Sequence, residues 1–548
     1  MISEENTLIG EIYEVNGSDF VARLISEEDG FLTEIEVGDT ITRVGQVGSY
    51  LVVKQSGLDI LVIVERMWFD RDSDGNLIRM LRANPLGEFI PNSGFQRGVT
   101  HFPTLGAQLH MISVNQLEQT FSRYGTADFV IGHLSSFESV EVALDASAFF
   151  GRHAAILGQS GSGKSWMVAS LVQSALKSMP NAHIILLDPH NEFSSNNSFS
   201  ETPVFPPEQT NCVSANDLEI PYWLLNYEEL IELLIDKNEE FASIQIAFLR
   251  GVLLDLKAEA NKDNDIGQIT VDSPVYFSME DLYRTFKRYN EQTTDFGRER
   301  TAFTGKFDSL LIKLESRLND SRYDFLLRPK VRNTSASLTD LAKEFLGLEE
   351  PTSAVTIIDL STVPHDVLPT VTAQVARLAF EFNFWNVHCR EFPILLVCDE
   401  AHTYIARERN TIGHRSARRS FERIAKTGRK YGVGLCIVSQ RPHDLSETVL
   451  SQCSSYFCMR ITNPIDQEYI RSLVPDAAHG ILDALTSLAQ GEAIATGEAV
   501  PLPLRLRINV PKPPPNSQNV DYAGMWSQKH PQEVEVDNIV KRWQVQQR

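Results

Sequence analysis

The residues with the clearest chemical meaning are a glycine-rich segment and a lysine at positions 158–165. Their sequence, GQSGSGKS, fits the pattern G-x-x-x-x-G-K-[ST] without a mismatch. In such a loop backbone N–H groups turn inward around phosphate oxygens, and the following helix N-terminus adds partial positive charge. The lysine reaches the β- and γ-phosphates, and the last hydroxyl binds Mg²⁺. We therefore predict ATP and Mg²⁺ as ligands of this segment, held by Gly158, Ser160, Gly161, Ser162, Gly163, Lys164, Ser165 and Trp166.

Two carboxylates follow an apolar run further along the chain. The run ILLVC at 394–398 ends in Asp399 and Glu400, and ligands of parallel sheets bind at the carboxyl ends of strands. Asp399 is predicted to hold Mg²⁺ through its waters, together with Ser165. Glu400 is predicted to orient and deprotonate the water that attacks the γ-phosphate, and Lys164 to act on the same phosphate.

Polar residues end two further apolar runs. Gln440 follows the run 435–438 and is predicted to sense the γ-phosphate or to position water, with a simple strand cap as the alternative. Asp188 and Glu192 follow the run 184–187, and we expect them near the same nucleotide.

Positive charge is concentrated in one stretch of a strongly acidic chain. The net charge of -22 argues against a surface that attracts nucleic acid everywhere. Residues 405–430 nevertheless hold nine basic residues against two acidic ones. We predict a pore-lining loop that contacts DNA phosphates, and an arginine finger, Arg423 or Arg429, that reaches a neighbouring subunit's γ-phosphate. A solvated basic helix face is the alternative. The predicted DNA-binding residues are Arg407, Arg409, Arg415, Arg418 and Arg419.

Apolar strands that alternate with helices predict an α/β fold, a RecA-like P-loop ATPase core with a parallel sheet. Short strands with Asn-Gly and Gly-Asp turns predict an N-terminal β-barrel, read as an assembly module. The predicted domains are the barrel at 1–105, a connection at 106–145, the first part of the core at 146–200, a helical insertion at 201–350, the second part of the core at 351–510 and a C-terminal tail at 511–548.

The chain lacks the sequence features of membrane and secreted proteins. Acidic residues occupy the N-terminus, where a signal peptide needs a basic flank, and no long uninterrupted apolar run occurs. The six scattered cysteines show no zinc or disulfide spacing. We expect a cytoplasmic protein without a membrane partner.

The motifs together resemble the HerA family of hexameric ATPases, relatives of FtsK-type DNA pumps. Besides the loop and the Asp-Glu pair, the resemblance rests on RHAAILG at 152–158, LDPHNE at 187–192, PYWLL at 221–225, DEAH at 399–402, GRKYGVG at 428–434 and SQRP at 439–442. Asn191 and Phe193 depart from the family's commonest Asp-Pro-His-Gly-Glu-Tyr form.

The resemblance implies a homo-hexamer with ATP at subunit interfaces and double-stranded DNA in the central channel. It implies that Arg152 acts on the nucleotide. It also implies a partner, either a NurA-like nuclease or an effector of bacterial anti-phage defence such as a nuclease or a sirtuin-like protein.

The expected function is therefore an ATP-driven DNA translocase or helicase. The alternative is a ring-shaped ATPase scaffold that binds and regulates an effector enzyme, with DNA translocation secondary. A conjugation-type coupling ATPase is a third interpretation, disfavoured by the missing membrane segments.

Overall fold

The computed structural model describes residues 7–27, 30–37, 40–55, 57–91, 93–122, 129–194, 202–214, 217–294, 299–408, 411–475, 478–517, 521–527 and 534–545. The strands in chain order are β1 (Leu8–Val15), β2 (Phe20–Leu24), β3 (Ser26–Glu27), β4 (Gly30–Phe31), β5 (Glu34–Val37), β6 (Thr40–Arg43), β7 (Tyr50–Gln55), β8 (Leu58–Arg71), β9 (Leu77–Ile90), β10 (Gly94–Arg97), β11 (Gln108–Met111), β12 (Val130–Leu134), β13 (Phe137–Ala143), β14 (Ala154–Leu157), β15 (Ile184–Asp188), β16 (Thr210–Val213), β17 (Thr293–Thr294), β18 (Glu299–Arg300), β19 (Val355–Asp359), β20 (Ile394–Cys398), β21 (Val433–Ser439), β22 (Ser455–Cys458), β23 (Glu492–Gly497) and β24 (Leu504–Ile508).

The α-helices in chain order are α1 (Val114–Ser122), α2 (Ala146–Gly151), α3 (Lys164–Ser178), α4 (Tyr227–Leu234), α5 (Ala242–Ala260), α6 (Met279–Glu291), α7 (Asp308–Leu318), α8 (Asp324–Leu327), α9 (Ser337–Phe345), α10 (Leu368–Trp385), α11 (Ile412–Thr427), α12 (Glu447–Ser451), α13 (Pro464–Leu473), α14 (His479–Leu482), α15 (Tyr522–Trp526) and α16 (Val536–Val545). Among the described residues, none of these helices is long and apolar enough to cross a membrane.

The N-terminal strands close into a six-stranded barrel. The order is β9-β2-β1-β11-β7-β8, and β8 pairs with β9 to close the ring. Fully buried side chains of alternate strand residues fill the interior, among them Ile9, Phe20, Val53 and Leu109. Closure removes exposed strand edges from an antiparallel sheet. The predicted β-barrel is confirmed.

The core is an eleven-stranded sheet in the order β13-β12-β24-β23-β22-β14-β21-β20-β15-β19-β16. The seven strands from β22 to β16 pair in parallel. Their residues are almost entirely buried, and the run ILLVC of β20 is an example, as expected for a parallel sheet whose faces are both covered. The predicted α/β class is confirmed.

Residues 106–145, expected as a connection, contribute strands to both sheets. β11 completes the barrel, while β12 and β13 extend the core sheet through the antiparallel pairing of β12 with β24. Their partners β1, β7 and β24 lie elsewhere in the chain, so no local pattern specifies this role. The stretch therefore connects the barrel to the core through strands of both sheets.

Helices supply most of the regular structure in the stretch 201–350, as predicted, and they are α4 to α9. It also contains β16, which pairs in parallel with β19 at the edge of the core sheet. A cluster of aromatic rings packs between the helices. The ring centroid of Phe248 lies within 5.1 Å of the ring centroids of Phe286, Tyr289, Phe303 and Phe307.

The first residues of the tail pack on the core. Gln173 of α3 donates to the carbonyl of Pro513 at 2.8 Å and accepts the N–H of Lys512 at 2.9 Å. The N–H of Asn516 donates to the carbonyl of Glu192 at 2.8 Å. The first part of the predicted C-terminal tail is therefore fixed beside the helix that follows the phosphate loop.

Gly434→Ala tests the packing of the parallel sheet. A Cβ at Gly434 in β21 would collide with the backbone oxygen of Phe150, so we expect a loss of unfolding free energy of about 3 kcal/mol. Gly151→Ala is the matched control, because nothing lies within 4 Å of a Cβ at that position. Urea denaturation of both variants measures the difference, and equal midpoints would contradict the packing.

Candidate functional site

The phosphate-loop motif connects β14 to α3. Gly161 and Gly163 have φ angles of 74° and 109°, which side-chain-bearing residues rarely adopt. The N–H of Gly158 donates to the Ser439 carbonyl at 3.2 Å, and the N–H of Gln159 to the Arg460 carbonyl at 3.0 Å. The loop is thus held at its first residues by the ends of the two strands that flank β14.

Lys164 begins α3 and lies inside the site. Its side chain is 7% exposed, and its Nζ donates to the carbonyl of Gln159 at 3.3 Å. Burial lowers the pKa of Lys164, and the charges of Glu400, Asp399 and Glu192 oppose that shift. The lysine therefore faces carboxylates that come from two other strands.

Asp399 and Glu400 lie at the end of β20, level with the phosphate loop. Leu157 pairs with Ser439, and Cys398 pairs with Ile437, so the carboxyl ends of β14, β21 and β20 share one edge. Burial raises the pKa of Asp399 well above its usual range, with the neighbouring Glu400 charge as the next cause. Burial also raises the pKa of Glu400, opposed by the charge of Lys164.

Gln440 follows β21, the strand between the other two. Its Nε2 donates to Oε2 of Glu400 at 3.1 Å. The structure thus brings Lys164, Asp399, Glu400 and Gln440 together at one edge of the sheet. An amide that donates to the carboxylate of a candidate base is placed to hold that base in position.

Asp188 and Glu192 border the same edge in different ways. Both oxygens of Asp188 accept backbone N–H groups, from Glu192 at 3.0 Å and from Phe193 at 2.9 Å. Burial raises the pKa of Asp188 to about 7. Its carboxylate therefore shapes the turn at 189–193, whereas Oε2 of Glu192 is buried without a hydrogen-bond partner among the described residues.

The structure does not bring Arg152, Arg423 and Arg429 to this subunit's phosphate loop. Arg152 precedes β14 and forms an ion pair with Glu498. Arg423 and Arg429 lie near the end of α11 and in the turn 428–431, just before β21 begins. All three are at the amino ends of the strands, the edge opposite to Lys164. This placement agrees with the prediction that Arg423 or Arg429 reaches the γ-phosphate of a neighbouring subunit, and it places Arg152 away from the nucleotide of its own subunit.

Arg423 is fixed where it lies. Its guanidinium forms an ion pair with Glu381 at 2.5 Å and covers the ring of Phe380 at 4.3 Å. Arg429 is exposed.

The predicted pore loop is largely a helix. Arg415, Arg418 and Arg419 belong to α11, whose inner face is the buried set Ala417, Phe421, Ile424 and Ala425 at helical spacing. Apolar residues at this spacing favour a helix over the predicted loop. Arg409 lies outside the described residues.

The arginines of α11 contact acidic residues and carbonyls of the same chain. Arg419 forms an ion pair with Glu228 at 2.7 Å, and Nε of Arg415 lies 3.9 Å from Glu232. Arg407 lies 3.5 Å from Glu447 and accepts, through its carbonyl, a hydrogen bond from Arg418 at 2.6 Å.

Sequence reasoning missed three groups that surround the site. His402 contacts Glu400, and Tyr404 donates its hydroxyl to the carbonyl of Asp399 at 2.9 Å. Thr462 donates to the side chain of Gln159 at 2.8 Å. His402 had a signal, since it stands beside the Asp-Glu pair. The contacts of Thr462 depend on strand order, which no local pattern encodes.

The residues present fit a magnesium nucleotide. A Cβ at Gly158 would collide with Ser162 and Met459, so only glycine fits where the loop leaves β14. Among the described residues, no group of three or more acidic, histidine or cysteine side chains forms a metal cage. Mg²⁺ prefers one or two carboxylates together with substrate phosphates, and Ser165 and Asp399 would supply oxygen ligands of this kind.

Residues 129–379 match the family model described as "Helicase HerA, central domain". This part of the chain is similar to the central domain of HerA helicases. The chain is 28% identical over 406 residues to the DNA double-strand break repair helicase HerA of Sulfolobus acidocaldarius, covering 73% of this chain and 72% of that one. It is 26% identical over 485 residues to a probable helicase of Methanocaldococcus jannaschii, covering 84% and 85%. These relatives are archaeal, so they give no support to the bacterial setting that a partner in anti-phage defence implies.

Solved structures with a similar fold include VirB4 of Thermoanaerobacter pseudethanolicus, with a TM-score of 0.45, 17% identity and coverage of 72% of this chain and 97% of that one. The plasmid coupling protein TrwB aligns with a TM-score of 0.44, 13% identity and coverage of 73% and 93%. The HerA family match, together with the phosphate loop and the carboxylates that face Lys164, identifies the chain as an ATP-hydrolysing enzyme.

Lys164→Ala and Glu400→Gln separate nucleotide binding from hydrolysis. Lys164→Ala removes the cation that faces the phosphates, so we expect ATP binding and turnover to be lost. Glu400→Gln removes the base and keeps the shape, so we expect kcat to fall about 10²- to 10⁴-fold while ATP still binds. Steady-state ATPase assays and binding of a fluorescent ATP analogue measure the two effects.

Two variants away from the site serve as controls. Lys177→Ala lies in the last turn of α3, and Glu391→Gln lies in an exposed position before β20. Both should behave like the wild type. Normal turnover in Glu400→Gln would contradict the assignment of the base.

Proposed function

We propose that this chain is the subunit of a homo-hexameric, ATP-driven DNA translocase that hydrolyses ATP between adjacent subunits. The proposal rests on the positions of the residues that are expected to act on ATP, which lie at two opposite edges of the core sheet. Lys164 and Glu400 lie at the carboxyl edge of the sheet, while Arg152 and Arg423 lie at the opposite edge.

Hydrolysis begins at the carboxyl edge of the sheet. Glu400 accepts a proton from water as the water oxygen attacks the γ-phosphorus, and Lys164 offsets the negative charge of the phosphates. Gln440 keeps the Glu400 carboxylate in place through its 3.1 Å hydrogen bond. Ser165 and Asp399 would hold Mg²⁺, which supplies further charge compensation to the phosphates when bound.

A ring completes the site. An arginine finger that stabilises phosphoryl transfer must approach the γ-phosphate. Within one subunit, Arg152, Arg423 and Arg429 all lie away from the phosphate loop. Head-to-tail contacts that close into a ring place one edge of a subunit against the other edge of its neighbour. Arg152, Arg423 or Arg429 would then act on the neighbour's nucleotide.

Duplex DNA is the proposed cargo. The exposed parts of α11 concentrate positive charge in a chain whose net charge is -22. Contacts of arginine with phosphates carry no sequence information, so binding would be independent of sequence. The names of the archaeal relatives describe DNA repair helicases, which agrees with this cargo. A NurA-like nuclease or a defence effector is the proposed partner.

DNA stimulation tests the cargo. We expect duplex DNA to raise the ATPase rate of the isolated protein, and we expect Arg415→Ala/Arg419→Ala to lose that stimulation while basal turnover remains. Added salt should weaken the stimulation, because phosphate contacts release counterions. Arg284→Ala is the control, since Arg284 is an exposed arginine of α6 that pairs with Glu280.

The same assay addresses the scaffold alternative. A rate that ignores DNA and rises with a co-encoded protein would favour a ring that regulates an effector enzyme, and would contradict the translocase.

Mixing two inactive variants tests the shared site. Arg423→Ala and Arg429→Ala should each be assayed, and loss of the finger should lower kcat by about 10³-fold or more. Mixing the inactive arginine variant with Lys164→Ala should restore turnover, because some interfaces then pair an intact phosphate loop with an intact arginine. Lys164→Ala mixed with Glu400→Gln is the control and should stay inactive. No recovery in the first mixture would contradict action across subunits.

A further inference from the structure

A histidine that the proposed chemistry does not use lies against the Glu400 carboxylate. Glu400 takes a left-handed backbone conformation with φ 45° and ψ 41°, which is uncommon for a residue other than glycine. Thr403 stabilises the turn, because its N–H and its hydroxyl both donate to the Glu400 carbonyl, at 2.9 and 2.8 Å. This turn brings the His402 ring beside the side chain of Glu400.

One oxygen of the Glu400 carboxylate has partners on two sides. Nδ1 of His402 lies 3.2 Å from Oε2, and Nε2 of Gln440 donates to the same oxygen at 3.1 Å. Among the described residues, Oε1 has no hydrogen-bond partner. The contacts therefore fix Oε2 and leave Oε1 for water.

The neighbours of His402 determine which nitrogen carries the proton. Nδ1 also lies 3.3 Å from Oγ of Ser439, and that oxygen accepts the N–H of Arg441 at 3.1 Å. An ionised carboxylate only accepts hydrogen bonds. With the hydrogen on Nδ1, the ring donates toward Oε2 of Glu400 and Oγ of Ser439, whereas a bare Nδ1 lone pair would face the carboxylate.

Ser439 connects this contact to the phosphate loop. It is fully buried at the end of β21, and its carbonyl accepts the N–H of Gly158 at 3.2 Å. His402 thus joins the carboxylate to the strand that carries Gln440 and that holds the first loop residue. A displacement of the ring would move the candidate base relative to the phosphates.

We propose that His402 is a positioning residue for ATP hydrolysis, which donates from Nδ1 to Oε2 of Glu400 and so presents Oε1 to the attacking water. Oε1 takes the water proton as the water oxygen bonds to the γ-phosphorus and the bond to the leaving oxygen of ADP breaks. His402 itself neither gains nor loses a proton. The inference rests on the proposed role of Glu400 and does not depend on the cargo.

His402→Ala and His402→Asn test the hydrogen bond. We expect His402→Ala to lower kcat about 10- to 100-fold, because a small displacement of a reacting group has effects of this size, with the KM for ATP unchanged within about twofold. The side-chain amide of His402→Asn offers an N–H near the position of Nδ1, so this variant should recover most of kcat. His388→Ala, at an exposed histidine before β20, should match the wild type.

Three results would overturn the inference. They are a wild-type kcat in His402→Ala, a His402→Asn variant as slow as His402→Ala, and a further loss when His402→Ala is added to Glu400→Gln. ATP binding and the unfolding midpoint of each variant identify a variant that fails to fold, in which case His402→Asn alone decides. Normal turnover in Glu400→Gln would instead refute the proposed base, so the two failures are distinguishable.

Discussion

A single buried lysine balances carboxylates that otherwise repel one another. Lys164 faces Glu400, Asp399 and Glu192, and burial disfavours the charged form of Lys164, Asp399 and Glu400. These charges come from strands that are far apart in sequence and adjacent or nearly adjacent in the sheet. The arrangement exists only because β21 separates β14 from β20, which leaves roughly 10 Å between the loop strand and the carboxylate strand.

Much of this arrangement is encoded locally. The phosphate loop is a contiguous motif. The strands β14, β15, β19, β20 and β21 are buried on both faces, so each appears in the sequence as a continuous apolar run that predicts a buried strand. The barrel was also predictable, because alternating residues and turn signals mark its strands. These features depend on short stretches of sequence, where local patterns are informative.

Other features depend on which element lies beside which. The edge on which Arg152 and Arg423 lie follows from strand direction, and nothing near either residue in the sequence specifies it. β12 and β16 join the core sheet through β24 and β19, which lie far along the chain, so no local pattern assigns them to that sheet. The polar residues of α11 are compatible with the predicted loop. Four apolar positions at helical spacing indicate a helix instead.

The ion pairs on α11 affect how strongly a translocating subunit would bind DNA phosphates. Arg415 and Arg419 already have Glu232 and Glu228 of α4 as partners, so a phosphate that approaches them replaces one anion by another. Such an exchange gains less free energy than the neutralisation of an unpaired cation. Each contact would therefore be weak and quickly reversed, as a subunit needs if it is to release one phosphate and take the next.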